Sequence, residues 1–250
     1  FGGPIPADDV VKVGRTHLQD ATPIRLGQVF MGYASQVAHS CQRLSLAYDG
    51  LLEVGLGGTA VGTGIGRHRE FHLTAIHHLS EKTGVPLRPA RNFCDQLAGR
   101  EACVFFAGAM GSAAGALLKV ANDVRFLGSG PRCGIGELRL PAIQPGSSIM
   151  PGKVNPVMSE SLIQACLLVH GYVTTVTACG MSGNYELNVT LPLLADVLLD
   201  GIEVLTGAVR GFIDRCVKGL TVDRERVAEF VEQSLMLATA LAPKIGYDAA

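Results

Sequence analysis

Hydrophobic positions follow a helical spacing in four long segments of the chain. In the first, apolar side chains recur every three or four residues from Leu26 to about Val54, the spacing that gathers them on one side of an α-helix. The other three segments are Ala102–Leu127, Val157–Cys179 and Leu191–Val217. At 1.5 Å per residue, each predicts a helix of roughly 35–45 Å.

Shorter features complete the predicted order of elements. Residues 55–66 are rich in glycine and residues 128–151 carry Gly and Pro at short intervals, so both are expected to be loops. A shorter helix is predicted over Glu70–Thr83, and a last one from Thr221 or Asp223. Alternation with a period of two residues is nearly absent. We therefore predict an all-α fold, a bundle of long helices that forms a multi-helix core.

The segment Ala102–Leu127 is apolar on almost every side, which is typical of a helix buried among other helices. It also contains Gly108, Gly111 and Gly115. Because glycine lowers helix propensity, its repeated use here predicts close contacts between helices.

Composition narrows the classes of partner and site. The net charge is about -1 and no stretch carries five or six like charges, so neither nucleic acid nor an anionic membrane is expected as the main partner. No uncharged apolar run reaches the length of a membrane span. The seven cysteines are scattered without a CxxC pair. Their spacing predicts neither a zinc site nor a disulfide framework, but buried free thiols in a reducing compartment.

The segment GSSIMPGKVNP at residues 146–156 carries the strongest chemical signal. A flexible Gly-Ser-Ser turn and a proline precede a cation, Lys153, and an amide, Asn155, just before a predicted helix begins. A helix N-terminus offers free N–H groups and the positive end of a dipole. These residue types predict a carboxylate-binding corner, and a solvent loop that caps the helix stays equally open at this point.

Two other patterns are better explained without function. His68 and His72 are four residues apart, but the surrounding residues do not form a HExxH motif, so a solvated helix face is expected and no metal site. The glycines at 62, 64 and 66 lack both the spacing and the preceding strand of a dinucleotide-binding loop.

Several motifs resemble those of one enzyme superfamily. Residues 146–156 are similar to the GSSxMPxKxNP signature of the fumarase/aspartase superfamily. GRTHLQD at residues 14–20 and GGTAVGTG at residues 57–64 resemble two further segments of that superfamily. Residues 129–137 and 183–188 look more like its fumarase branch than its aspartase branch.

The resemblance implies a role for six side chains. Ser147 matches the catalytic base, which takes a proton from the carbon beside a carboxylate. His17 matches the histidine that assists the hydroxyl at the other carbon, and Glu160 the acid that pairs with it. Thr16, Lys153 and Asn155 match groups that hold substrate carboxylates. The resemblance implies no metal ion and no organic cofactor.

The activity implied by the resemblance is that of a lyase, the reversible hydration of fumarate to L-malate, a reaction of the tricarboxylic acid cycle. Two alternatives stay open: aspartate ammonia-lyase, in which ammonia leaves, and a non-catalytic helical assembly protein of the same superfamily. The residue sequence of the Gly-Lys-Val-Asn segment disfavours lyases that act on argininosuccinate or adenylosuccinate.

The resemblance also implies an organisation. Residues 1–222 would form the central helical-bundle domain, preceded in the family by an N-terminal domain, and residues 223–250 would begin a C-terminal helical domain. The family's homotetramers build each active site from three subunits, so this stretch alone is not expected to form a complete site. The implied compartment is the cytoplasm, or the mitochondrial matrix in a eukaryote.

Overall fold

Four long helices dominate the structure, a computed structural model that describes residues 7–238 and 244–246. They are α1 (Leu26–Leu51), α4 (Glu101–Leu127), α5 (Val157–Gly180) and α6 (Leu191–Arg215). The predicted all-α class is confirmed. Two predicted ends are too long: α1 ends three residues before Val54, and a 3-10 turn at Val217–Gly219 follows the end of α6.

Three shorter helices lie between and after the long ones, namely α2 (Phe71–Thr83), α3 (Phe93–Ala98) and α7 (Arg224–Gln233). The predictions for α2 and α7 are confirmed. Gly84 ends α2 in the left-handed conformation that favours glycine, with φ of 68°. Helix α3 was not predicted. It begins because the Asn92 side chain accepts hydrogen bonds from the backbone N–H groups of Cys94 and Asp95.

A β-hairpin precedes the first helix and was not predicted. Its antiparallel strands are β1 (Val11–Thr16) and β2 (Gln19–Arg25). The alternation that marks a half-buried strand is hidden here, because the charged Lys12 is buried whereas Val11 is 45% exposed. Two short pairs of strands complete the structure: β3 (Glu53–Val54) with β4 (Arg88–Pro89), and β5 (Leu138–Arg139) with β6 (Thr221–Val222).

The described chain forms two compact units. Among the described residues, one contains 7–38, 119–163, 209–238 and 244–246, and the other contains 39–118 and 164–208. All six predicted site residues belong to the first unit. The predicted domain boundary after residue 222 stays a prediction, and residues 239–243 and 247–250 of that second domain lie outside the described residues.

Helices of the second unit approach closely at some glycines but not at others. A Cβ atom on Gly111 would lie 3.2 Å from Cγ2 of Val173, so α4 and α5 are in tight contact there. A Cβ atom on Gly108 or on Gly115 would have no described atom of a neighbouring element within 4 Å. The predicted close contact is therefore found at one of the three glycines of α4.

Helices α4 and α5 are long and apolar enough to cross a membrane, judged by length and composition alone. Core helices of soluble proteins pass the same test, so the observation is weak support for a membrane span. The expectation that the chain has no span stays a prediction.

The cysteines only partly follow the prediction of buried thiols. Cys166, Cys179 and Cys216 are buried, and burial raises the pKa of the Cys166 thiol to about 11. Cys41, Cys94 and Cys133 are exposed, so the prediction is wrong for these three. The spacing of cysteines along the sequence does not indicate which of them lie on a helix surface or in a loop.

Candidate functional site

The loop that carries Ser147 runs from strand β5 to helix α5 and is closed on itself. The Gly146 N–H donates to the carbonyl of Lys153 at 3.1 Å, and the Lys153 N–H donates to the carbonyl of Met150 at 3.3 Å. A side chain at Gly146 would overlap the Lys153 carbonyl, which explains why glycine begins the loop. The predicted start of a helix just after Pro156 is confirmed.

The hydroxyl oxygen of Ser147 is surrounded by backbone donors. Its Oγ accepts from the N–H of Ile149 at 3.1 Å and from the N–H of Met150 at 3.3 Å. Donors aimed at an oxygen stabilise negative charge on it. Ser147 and Lys153 also line one cavity of about 460 Å³.

Asn155 stands at the end of the same loop. Its Nδ2 donates to the carbonyl of Gly146 at 3.0 Å, which ties the end of the loop to its beginning. Glu160 follows in the first turn of α5, where its backbone N–H donates to the carbonyl of Pro156. The predicted grouping of Ser147, Lys153 and Asn155 on one loop is therefore present.

Thr16 and His17 lie where strand β1 turns into β2. His17 and Leu18 both adopt left-handed backbone conformations, with φ of 55° and 62°, as the two central residues of a tight hairpin turn require. His17 lines a cavity of about 580 Å³, whose other polar wall residues include Lys12, Tyr33 and Asp123.

The wall of this second cavity contains a hydrogen-bonded pair of polar side chains and a buried lysine. Tyr33 donates to Oδ2 of Asp123 at 2.8 Å, and burial together with this hydrogen bond raises the pKa of Tyr33. Burial lowers the pKa of Lys12, and the nearby carboxylate of Glu137 opposes that shift. The sequence motifs assign no role to these residues, because their partners are far apart along the chain.

Within one chain, the two groups of predicted catalytic residues are separate. His17 lines the cavity of about 580 Å³ and Ser147 the cavity of about 460 Å³. Among the described residues of one chain, no hydrogen bond or ion pair joins His17 to Glu160. The structure thus brings Thr16 to His17 and Ser147 to Lys153, but not the first pair to the second.

Glu137 is a residue that the motifs contained but did not single out. It is fully buried, and its Oε1 accepts a hydrogen bond from the Arg15 guanidinium at 2.7 Å. The two residues are 122 positions apart in the sequence. The described residues contain no group of three or more His, Cys, Asp or Glu side chains arranged to hold a metal ion.

Comparison with known proteins places this arrangement in a family. A family model described as lyase matches residues 6–171, which is more than half of the chain. The chain belongs to this lyase family. Its structure is similar to that of a class II fumarase from Schistosoma mansoni, with a TM-score of 0.93 and 40% identity over 97% of this chain and 54% of that one.

Relatives within the lyase family carry a more specific name. The chain is 49% identical to the class II fumarate hydratase of Methylorubrum extorquens, over 97% of this chain and 52% of the relative. It is 47% identical to the mitochondrial fumarate hydratase 1 of Arabidopsis thaliana, over 96% of this chain and 49% of the relative. The resemblance to class II fumarases is confirmed, and the two alternatives are not favoured. The chain spans about half the length of these relatives.

Proposed function

We propose that the intact protein carrying this chain is a fumarate hydratase, which adds water reversibly and in anti geometry to fumarate to give L-malate. Sequence identity of 47–49% to fumarate hydratases of other organisms supports this reaction. The observation that carries the mechanism is the Ser147 oxygen, which accepts from two backbone N–H groups beside a cavity that Lys153 also lines.

In the direction from malate, Ser147 in its alkoxide form takes a proton from the carbon beside one carboxylate. The electron pair left on that carbon moves into the carboxylate, which becomes a dianionic aci-carboxylate. An alkoxide needs strong stabilisation in neutral water. The N–H groups of Ile149 and Met150 supply part of it at the oxygen itself.

The hydroxyl at the neighbouring carbon then leaves as water. In the proposed scheme His17 donates the required proton, directly or through a bound water, while Glu160 pairs with the imidazole. Return of the aci-carboxylate electrons forms the carbon–carbon double bond of fumarate. Lys153, Asn155 and Thr16 hold the carboxylates, and neither a metal ion nor an organic cofactor takes part in this scheme.

We further propose a homotetramer with active sites shared between subunits. Large apolar side chains are exposed along the long helices; they include Met31, Leu46, Phe105, Leu167 and Leu199, each more than half exposed. Large apolar side chains that are exposed to this extent favour contact with another protein surface. The separate cavities of His17 and Ser147 support the same arrangement, because residues from neighbouring chains can then complete each cavity.

The proposed compartment is the cytoplasm, or the mitochondrial matrix if the source is a eukaryote, and the proposed pathway is the tricarboxylic acid cycle. Relatives from bacteria and from a plant support this assignment.

Fumarate turnover by the intact protein tests the proposed reaction. We expect the absorbance of fumarate to fall with no ammonium present, and malate to appear in equal amount. Loss of absorbance only when ammonium is added would instead identify an aspartate ammonia-lyase. No change under either condition, from a correctly assembled protein, would favour the non-catalytic alternative.

A further inference from the structure

A buried carboxylate supports the hairpin that carries Thr16 and His17. Glu137 is 0% exposed. Its Oε1 accepts from the Arg15 guanidinium at 2.7 Å, and its Oε2 lies 3.1 Å from Nζ of Lys12. Both cations belong to strand β1, in which the register shifts between Val13 and Arg15. This irregularity interrupts the alternation of faces, so two side chains three residues apart reach one carboxylate.

The turn at the end of this strand is in an unfavourable conformation. His17 and Leu18 are both left-handed, although such turns usually contain Asn and Gly because a Cβ atom is disfavoured there. Leu18 is 75% exposed, so its packing does not offset the strain. A conformation of this kind persists when its surroundings fix it. The fixed element next to the turn is Arg15.

Arg15 is held from two sides. Besides its bond to Glu137, its guanidinium lies 5.4 Å from the ring centroid of Phe230. Arg226 lies 4.1 Å from the same ring and donates to the carbonyls of Ile135 and Gly134, which are two and three residues before Glu137 in the chain. The loop, the ring and the two guanidinium groups therefore form a closed network around the end of β1.

Glu137 is itself fixed through its backbone, at the base of the segment that leads to Ser147. Its carbonyl accepts from the N–H of Asp223 at 3.0 Å. Strand β5 begins at the next residue and pairs with β6. From there the chain continues to the Ser147 loop. One residue thus joins the base of the Ser147 segment to the strand that leads to His17.

We propose that Glu137 is a positioning residue: its carboxylate fixes Arg15 and Lys12, and through them it holds the Thr16–Leu18 turn in its strained conformation. Its effect on turnover rests on the proposed function, in which that turn presents Thr16 and His17 to the substrate. The anchoring of the turn does not depend on which reaction is catalysed.

The carboxylate charge is essential to this role. Glu137→Gln keeps the size of the side chain but leaves two cations near one another in a buried place without their anion. Burial already disfavours the charged form of Lys12, so the loss of Glu137's charge weakens both contacts. We expect the turn to loosen while the long helices stay folded.

Hydrogen–deuterium exchange on the intact protein tests the anchoring directly. In Glu137→Gln we expect amide exchange within residues 11–25 to rise about tenfold or more, with little change in α4 and α6. The matched control is Asp9→Asn, which removes the exposed ion pair between Asp9 and Arg224 at the base of the hairpin and should leave exchange unchanged. Unchanged exchange of the hairpin in Glu137→Gln would overturn the proposal. If that variant does not fold, Arg15→Lys provides the same test, because lysine lacks the planar group that contacts both Glu137 and Phe230.

A double-mutant cycle tests whether Glu137 acts through His17. We expect Glu137→Gln to lower kcat about 100-fold, as misplacement of a reacting group by about 1 Å does. In a His17→Asn background the same change should have an effect of less than about twofold, because residues that act as one unit are not additive. If the double variant instead loses kcat by the product of the two single losses, Glu137→Gln acts through a general loss of structure, and the positioning role is overturned. If the wild-type protein does not turn over fumarate, the proposed function fails, and the exchange measurement alone decides on the anchor.

Discussion

Ser147 illustrates how a loop changes the chemistry of a weak base. A serine hydroxyl in water loses its proton only at very high pH, and a general base must hold its charge near neutral pH to be useful. In this chain two backbone N–H groups, those of Ile149 and Met150, point at the oxygen. They are backbone groups of one closed loop, so little reorganisation is needed when charge develops.

We predict that Ser147→Ala lowers kcat by roughly 100- to 10,000-fold, the usual contribution of a general base. The overall structure should be preserved, because Ser147 is in a loop and the residues whose N–H groups bond its hydroxyl, Ile149 and Met150, are exposed. Ser148→Ala is the matched control, since it removes the neighbouring hydroxyl from the same turn. Fumarate turnover at saturating substrate and a measurement of molecular mass check both variants. Retained activity in Ser147→Ala would contradict its assignment as the base.

At the scale of elements, the start of α7 depends on Asp223. Its side chain accepts from the Arg226 N–H at 3.1 Å and caps the helix, and it also pairs with Arg139 at 2.7 Å. The hydrogen bonds from Arg139 and then that from Arg226 hold the pKa of Asp223 below its ordinary value of 3.8. Between the lowered pKa of the folded state and the ordinary pKa of the unfolded chain, the folded state therefore binds fewer protons than the unfolded state. The stabilisation is present above pH 3.8 and is lost as the pH falls through the lower value.

We predict different pH dependence for two substitutions of Asp223. Asp223→Asn keeps a capping oxygen and should cost about 0.5 kcal/mol at neutral pH, since the ion pair is partly exposed. That difference should vanish in acid. Asp223→Ala also removes the cap and should cost about 1 kcal/mol more at every pH. Urea unfolding at neutral pH and at an acid pH below the folded-state pKa of Asp223 measures both. A difference between wild type and Asp223→Asn that persists in acid would contradict the assigned charge effect.

Helix α5 contains two glycines in opposite surroundings. A Cβ atom on Gly180 would overlap Cγ2 of Val104, whereas one on Gly171 would meet no described atom within 4 Å. We predict that Gly180→Ala costs about 1–3 kcal/mol because the helices must move apart. Gly171→Ala should gain up to about 1 kcal/mol from helix propensity. Thermal unfolding of the two variants gives the comparison. Equal effects would contradict the packing described here.

The long helices could be predicted from sequence because a period of three to four residues is a direct consequence of burying one side of a helix. The hairpin could not be predicted in the same way. It buries Lys12 and exposes Val11, so its pattern of polar and apolar residues does not follow the rule for strands. Helix α3 was not predicted because a helix of six residues has too few turns to show a period.

The same contrast applies to the candidate site. The loop with Ser147, Lys153 and Asn155 is local in sequence, so a motif was enough to predict their proximity. The contact between Arg15 and Glu137 was not predictable, because it joins residues 122 positions apart. Neither the spacing of residues nor their type indicates which distant cation a buried carboxylate contacts.

At the scale of the whole molecule, the proposed active site requires more than one chain. Ser147 and His17 line different cavities of the same unit, yet the proposed reaction needs both at one substrate. A closed symmetric assembly resolves this requirement, since each chain can give its serine to one site and its histidine to another. The exposed apolar side chains of the long helices support such an assembly.

Complementation between two inactive variants tests this claim most directly. Ser147→Ala and His17→Asn are each expressed as the intact protein, then dissociated, mixed in equal amounts and reassembled. Half of the serines and half of the histidines are then intact, so about a quarter of shared sites receive both, and we predict recovery of about a quarter of wild-type fumarate turnover. Activity no higher than that of the two separate variants, in assemblies shown to contain both chains, would contradict a site formed by Ser147 and His17 from different chains.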